Sequence, residues 1–139
     1  MTTHFRFDEG RTATAVPAAK RRRGRRAYLS GVSAEKAVAR EYDRRGADLL
    51  ETRWRGQAGE IDLIFLDGGV YVFCEVKKAS SFDAAAERLR VDQMQRIHLA
   101  ASEYLGNTPQ GQLSEVRFDL AVVDDRGQVE IRDAAFSHF

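Results

Sequence analysis

The chain has 139 residues, of which 43% are hydrophobic and 31% are charged, and its formal net charge is +1. This length predicts a single domain with one core, and no apolar run reaches the ~20 residues that a membrane-spanning helix needs. The single cysteine, Cys74, excludes an intramolecular disulfide and a cysteine-based zinc site. We therefore expect a cytoplasmic protein without a membrane partner.

The small net charge conceals two oppositely charged parts of the chain. Residues 1–30 carry eight Lys or Arg against two Asp or Glu, whereas residues 31–139 carry fourteen against nineteen. Six of the basic residues fall within positions 20–26, a density that suits contact with a phosphate backbone. A solvated tail explains the same composition, and we predict a basic, disordered extension over 1–29 and a folded domain over 30–139. The candidate phosphate contacts in this cluster are Arg21, Arg22, Arg23, Arg25 and Arg26.

Apolar periodicity predicts the elements that follow this extension. A helix runs from Ser30 or Ser33 to about Arg45, and a second helix covers 92–105 after a loop over 80–86. Apolar runs of strand type predict five strands, over 47–55, 60–66, 70–77, 116–123 and 128–132. The resulting order is α-β-β-β-α-β-β, a mixed sheet flanked by helices.

Acidic side chains lie inside two neighbouring strands of this order. Asp62 and Glu75 fall within apolar runs on either side of the turn signal Asp67-Gly68-Gly69. A carboxylate inside a buried strand is costly unless a partner compensates it, and a divalent metal ion is the most economical partner. Alternation places Glu75 and Lys77 on one face of their strand.

The register of this hairpin decides whether the two acids meet. A two-residue Asp-Gly turn sets Glu60 opposite Glu75 and Asp62 one diagonal step away, and a four-residue connection sets Asp62 directly opposite Glu75. Both registers put the acids on one side of the sheet, whereas a three-residue connection separates them. A metal site requires one of the first two registers.

Converging acids at this hairpin predict phosphodiester chemistry. Their oxygens suit Mg²⁺ or Mn²⁺, which lowers the pKa of bound water, while Lys77 orients that water or stabilises charge on phosphorus. Glu35 shares the apolar face of the first helix and is a candidate ligand of the same or a second ion. Gln93 opens the later helix, where its amide is placed to position the nucleophile or a phosphate. The alternative is a solvated ionic network with Lys77 or Arg53 as the counter-charge.

Four blocks of sequence together resemble a known family. They are Gly31-x-x-Ala34-Glu35, Gly59-Glu60-Ile61-Asp62-Leu63-Ile64, Val72-Phe73-Cys74-Glu75-Val76-Lys77 and Arg117-Phe118-Asp119-Leu120. They look like the YraN-type uncharacterised protein family. That family is similar to Holliday-junction-resolvase-like members of the restriction-endonuclease-like, or PD-(D/E)XK, superfamily.

The resemblance implies an α/β fold with a restriction-endonuclease-like αβββαβ core. It also implies the superfamily's metal-site roles for Asp62, Glu75 and Lys77, with Glu35 as the helix-borne acid. Gln93 stands where many relatives have lysine and is similar to the glutamine of some exonuclease relatives.

We therefore predict a metal-dependent nuclease that acts on structured or branched nucleic acid by phosphodiester hydrolysis, with Mg²⁺ or Mn²⁺ as cofactor. DNA is expected in preference to RNA, and the candidate contacts outside the arginine cluster are Arg53, Arg55 and Lys78. Resolvase relatives work as two-fold dimers, so a homodimer is expected. Two alternatives remain: a non-catalytic nucleic-acid-binding module, and an interaction module whose basic tail recruits an acidic protein.

Overall fold

A computed structural model describes residues 18–137, leaving the side chains of residues 18–21, 23, 24 and 26–29 outside the description. Within this range the helices are α1 (Ala18–Arg44), α2 (Phe82–Arg88) and α3 (Val91–Leu105). The strands are β1 (Asp48–Arg55), β2 (Glu60–Asp67), β3 (Val70–Lys78), β4 (Glu115–Val123) and β5 (Val129–Arg132). A short 3₁₀ helix, Gly111–Leu113, lies before β4.

The five strands form one mixed sheet in the order β1-β2-β3-β4-β5. The pairs β1–β2, β2–β3 and β4–β5 are antiparallel, whereas β3 and β4 are parallel. A parallel pair needs a long crossover, and α2 and α3 supply it. The order contains the predicted αβββαβ core, so the predicted fold class is confirmed.

Helices cover both faces of this sheet. On one face, Ala34, Val38 and Tyr42 of α1 recur every four residues and are buried in the core. Tyr42 stacks on Phe65 of β2 with ring centroids 4.0 Å apart. On the other face, the buried residues of α3 are Ile97, Ala100, Ala101 and Leu105.

The first helix begins at Ala18, so the predicted start at Ser30 or Ser33 is wrong. Residues 18–29 are rich in Ala, Lys and Arg, which favour helix intrinsically but form no apolar stripe for a periodicity search to detect. This helix extends into the predicted extension over 1–29, whose division from the folded domain stays a prediction, and residues 1–17 lie outside the described residues.

The predicted loop over 80–86 is also wrong in part, because α2 begins at Phe82. Ser81 is its N-cap, and the Ser81 hydroxyl accepts a hydrogen bond of 3.1 Å from the Ala84 amide. Such a cap stabilises a helix too short to show a clear apolar period.

Strand β1 forms one edge of the sheet and is irregular. Its pairing with β2 shifts register between Leu49 and Glu51, and Arg53 has a φ of +50°. A positive φ is uncommon for a residue other than glycine and is a mark of backbone strain. The opposite edge is β5, with four residues.

No helix within residues 18–137 combines the length and the apolar character needed to cross a bilayer.

Candidate active site

The β2–β3 register brings the two predicted strand acids together. Pairing runs from Asp67–Val70 to Leu63–Cys74, and one further step places Asp62 opposite Glu75. Of the two registers that the metal-site interpretation allows, this is the one predicted for a four-residue connection.

The connection has two residues, whereas the sequence analysis assigned this register to a four-residue connection. Because Asp67 pairs with Val70, the turn residues are Gly68 and Gly69 rather than Asp-Gly. Their φ values are +57° and +89°, and two positive φ angles in a two-residue loop favour a type I′ turn. Glycine takes this conformation at little cost, so the Gly-Gly pair sets the register that aligns the acids.

The carboxylate of Asp62 binds the backbone of the neighbouring strand. The Val76 amide donates to Oδ2 of Asp62 at an N···O distance of 2.8 Å. The regular pairing of β2 with β3 extends from Asp67 back to Leu63 and so stops next to Asp62. The Asp62 side chain thus accepts a hydrogen bond from a backbone amide at the point where the strand pairing stops, and this contact holds it beside Glu75.

Burial dominates the electrostatics of this acid pair, and the charge of Asp62 adds to it at Glu75. Burial, followed by the charge of Asp62, raises the pKa of Glu75 to about 8. Burial also raises the pKa of Asp62 above its ordinary value, although the bond from Val76 opposes this shift. Burial and the charge of Asp62 therefore both favour the protonated form of Glu75.

Lys77 and Gln93 converge on the same carboxylate. Nζ of Lys77 lies 3.3 Å from Oε2 of Glu75, and the Gln93 amide donates to that oxygen at 2.7 Å. Lys77 also donates to Oε1 of Gln93 at 3.4 Å. Residues from β2, β3 and the first turn of α3 therefore meet around one point, as the sequence predicted.

Glu35 lies beside this cluster but is bonded to an arginine. Nε of Arg53 donates to Oε1 of Glu35 at 2.9 Å, and the two side chains are only 18% and 13% exposed. A Cβ at Gly31 would lie 3.2 Å from the Arg53 guanidinium, so glycine leaves room for it there. Burial raises the pKa of Glu35 to about 7 despite this partner, and the charge of Asp62 adds to the rise.

The donor chemistry of the acid pair suits a hard divalent cation. Mg²⁺ is usually held by one or two carboxylates and keeps several waters, so Asp62 and Glu75 are a sufficient protein contribution. Burial raises the pKa values of both carboxyl groups by disfavouring their charged forms, and a bound cation would offset that cost. Within residues 18–137, no group of three or more His, Cys, Asp or Glu side chains is arranged to hold a metal ion. The predicted third ligand, Glu35, is instead bonded to Arg53.

The predicted nucleic-acid contacts occupy different environments. Arg22 and Arg25 of α1, Arg55 of β1 and Lys78 of β3 are exposed. Lys78 donates to the Ser30 hydroxyl of α1, and Arg55 lies 3.7 Å from a carboxylate oxygen of Glu60. Arg53 is largely buried against Glu35, as described above. The side chains outside the described part are those of Arg21, Arg23 and Arg26.

A second buried acid was not given a role by the sequence. Asp119 of β4 is 0% exposed and accepts hydrogen bonds from the Tyr42 hydroxyl at 2.6 Å and the Ala134 amide at 2.8 Å. Arg117 binds both of its oxygens, at 2.9 and 3.1 Å. An Arg and an Asp two residues apart in a strand share a face, and this signal was available in the sequence.

The fold and site define a mixed α/β protein with a carboxylate pair where β2 and β3 separate. The chain belongs to the uncharacterised protein family UPF0102, whose model matches residues 34–123. The predicted YraN-type membership is thereby confirmed. The match runs from the middle of α1 to the end of β4 and so contains Glu35, Asp62, Glu75, Lys77 and Gln93.

Relatives in this family align over most of the chain. A UPF0102 protein of Ruegeria pomeroyi is 51% identical over 116 residues, which are 84% of this chain and 94% of the relative. One of Cereibacter sphaeroides is 53% identical over 114 residues, which are 82% of this chain and 97% of the relative. One of Dinoroseobacter shibae is 45% identical over 121 residues, covering 87% and 90%. These proteins therefore share nearly their whole length with this chain.

Proposed function

We propose that this protein is a metal-dependent nuclease that hydrolyses phosphodiester bonds in structured or branched nucleic acid, DNA in preference to RNA. The observation that carries the proposal is the Asp62–Glu75 pair, which the β2–β3 register aligns beside the amine of Lys77. Strongly perturbed carboxyl groups that lie close together are characteristic of functional sites. The resemblance to resolvase-like nucleases supports the choice of substrate.

Each residue of the site has a distinct task in this proposal. Asp62 and Glu75 would hold Mg²⁺ or Mn²⁺, and such an ion supplies Lewis-acid stabilisation to a phosphate oxygen. Lys77 stabilises the negative charge that develops on the phosphoryl oxygens. Gln93 holds Glu75 in orientation through the 2.7 Å hydrogen bond.

The reaction is an attack of water on phosphorus. The bond from the water oxygen to phosphorus forms while the bond from phosphorus to the 3′ oxygen breaks. One proton of the attacking water passes through solvent to the departing 3′ oxygen, and the products are a 5′-phosphate and a 3′-hydroxyl.

The test is incubation with Mn²⁺ and a panel of branched, flapped, double-stranded and single-stranded substrates. The wild type is expected to cleave a branched member, and the double variant Asp62→Ala/Glu75→Ala is expected to lose turnover. Asp125→Asn, an exposed acid in the β4–β5 turn, is the matched control and should cleave like the wild type. Cleavage that survives in the double variant would come from a contaminant and would overturn the proposal.

A second candidate is a nucleic-acid-binding module without turnover. The observation that favours it is the ion pair with Arg53, which leaves two acids rather than three at the site. This module would bind branched nucleic acid equally well in EDTA and in Mn²⁺. Its melting temperature would not respond to Mn²⁺, whereas a metal-holding Asp62–Glu75 pair would raise it.

A further inference from the structure

Helix α1 has two halves with different surroundings. It is continuous over 27 residues, from Ala18 to Arg44. Among its described side chains, those buried in the core are Ala34, Val38 and Tyr42, all in the C-terminal half. In the N-terminal half, the described side chains of Arg22 and Arg25 are exposed. The basic cluster therefore lies on a helical segment that precedes the packed part of the same helix.

The point where these halves meet lies beside the candidate active site. Ser30 accepts a hydrogen bond from Lys78, which follows Lys77 in β3. Glu35 is five residues further along the helix and faces Arg53 and Asp62. One helix thus carries the basic cluster at one end and an acid of the site near its middle.

The charges of the two parts explain why such a segment would be needed. Residues 31–139 carry five more acids than bases, so the body of the protein repels phosphates overall. Residues 20–26 hold six of the basic residues that offset this excess. Attraction to a polyanion must therefore come largely from the N-terminal half of α1.

We propose that the N-terminal half of α1 is a rigid basic arm that binds the phosphate backbone of a duplex several base pairs from the site. This inference rests on the proposed function, because it names the part of the substrate that the arm holds. A flexible tail would bind phosphates at any distance, whereas a helical arm binds them at a fixed one. The arm therefore sets a minimum duplex length for full affinity.

Helix geometry gives the distance. Arg25 and Arg22 precede Glu35 by ten and thirteen residues, which at ~1.5 Å per residue correspond to about 15 and 20 Å along the axis. At ~3.4 Å per base pair, this reach is about four to six base pairs of duplex. We therefore expect the arm to contact the duplex on one side of the candidate active site, about four to six base pairs away.

Binding is measured by fluorescence anisotropy in EDTA, with branched DNA whose arms are either about 3 or about 8 base pairs long, on either side of the predicted reach. The wild type is expected to bind the longer arms more tightly. The variant Arg22→Gln/Arg25→Gln should lose this gain. Its affinity should also depend less on salt, because each lost phosphate contact removes ~0.9 from the log–log slope. Raising salt from 50 to 200 mM should then weaken the wild type about twelve-fold more than this variant.

Two further proteins complete the test. Arg40→Gln/Arg44→Gln removes two exposed arginines from the other half of α1 and should behave like the wild type. Ala27→Pro keeps every charge but breaks the helix between Arg25 and Ser30, so it should abolish the dependence on duplex length. Circular dichroism and the melting temperature verify that each variant remains folded.

Three results would overturn the proposal that the N-terminal half of α1 is a rigid basic arm. The first is an unchanged length dependence in Ala27→Pro, which means that a flexible tail suffices. The second is an unchanged salt slope in Arg22→Gln/Arg25→Gln. The third is displacement of the duplex by poly-glutamate at equal charge, which indicates an acidic protein partner. Because binding in EDTA needs no turnover, these results are independent of whether Mn²⁺ supports cleavage.

Discussion

Two places in the sheet remove carboxylates from solvent, and their surroundings differ. The oxygens of Asp119 receive donors from a tyrosine, an arginine and a backbone amide. Asp62 and Glu75 instead face each other, and their partners are one lysine and one glutamine at Glu75 and one backbone amide at Asp62. Asp119 has an arginine bound to both of its oxygens, whereas the two acids of the pair have one lysine between them.

This difference distinguishes an acid that fixes the fold from the pair that we propose to bind a metal ion. A buried carboxylate with all its hydrogen bonds satisfied fixes the fold, and Asp119 links α1 to β4 and to the chain after β5. The burial of Asp62 and Glu75 raises the pKa of each group, and the cost of burying their charged forms is one that a bound cation can relieve. The comparison therefore predicts opposite responses to charge removal at the two places.

The largest expected effect is at Asp119. Asp119→Ala should lower the free energy of unfolding by about 3–5 kcal/mol, because it leaves Arg117 and Tyr42 without their buried partner. Urea unfolding followed by circular dichroism measures this loss. The matched control is Asp67→Ala, which removes a weaker partner 3.6 Å from Arg117 and should cost about 1 kcal/mol or less. Equal losses in the two variants would contradict the role given to Asp119.

The acid pair should make the metal-free protein less stable as pH rises. Glu75 releases its proton near pH 4.5 when unfolded but near 8 when folded, so between these values the folded state binds more protons. The free energy of unfolding in EDTA should therefore fall between about pH 4.5 and 8. Asp62 and Glu35, whose pKa values are also raised, add to the fall, while the positive charge of Lys77 lowers the pKa of Glu75 and so limits it. Stability that rises over this interval would contradict the burial of the pair.

Neutralising one acid of the pair should stabilise the metal-free protein, the reverse of the effect at Asp119. At pH 8.5, Glu75→Gln is expected to raise the free energy of unfolding by at least about 1.4 kcal/mol, the equivalent of one pKa unit. The same variant should lose any rise in melting temperature caused by Mn²⁺. A destabilised variant that still responds to Mn²⁺ would mean that the ion binds elsewhere.

The smallest expected effect is at the glutamine that orients Glu75. Gln93→Ala should weaken Mn²⁺ affinity roughly ten-fold, because it removes a partner that holds the ligand in place. Isothermal titration calorimetry measures the change. Gln95→Ala, an exposed glutamine on the same helix, is the matched control and should bind like the wild type. No difference between the two variants would assign Gln93 a packing role.

Short-range patterns in the sequence predicted the strands and the convergence of the site. Alternation of period two located β2 and β3, and the Gly68-Gly69 pair limited the register to a few choices. Because Asp62, Glu75 and Lys77 all lie in this one hairpin, these local signals were enough to predict that they are close in space. The choice among registers needed the structure, because it depends on which residues close the turn.

Contacts between distant parts of the chain could not be predicted in the same way. Tyr42 and Asp119 are 77 residues apart, and no pattern in the sequence around either residue predicts their contact. Arg53 was named as a possible counter-charge for the strand acids, but its pairing with Glu35 was not predicted. Arg53 reaches Glu35 from a strained backbone conformation that no local pattern encodes. The start of α1 was missed because its first turns have helix-forming residues without an apolar stripe.

The irregular backbone of β1 has a consequence for self-association. An exposed, flat edge strand is a template for edge-to-edge aggregation, and irregularities protect against it. In this sheet one edge carries a register shift at Leu49–Glu51 and a positive φ at Arg53, and the other edge is only four residues long. A homodimer, which stays a prediction, would therefore have to join through helices or loops rather than by extending the sheet from one copy into the next.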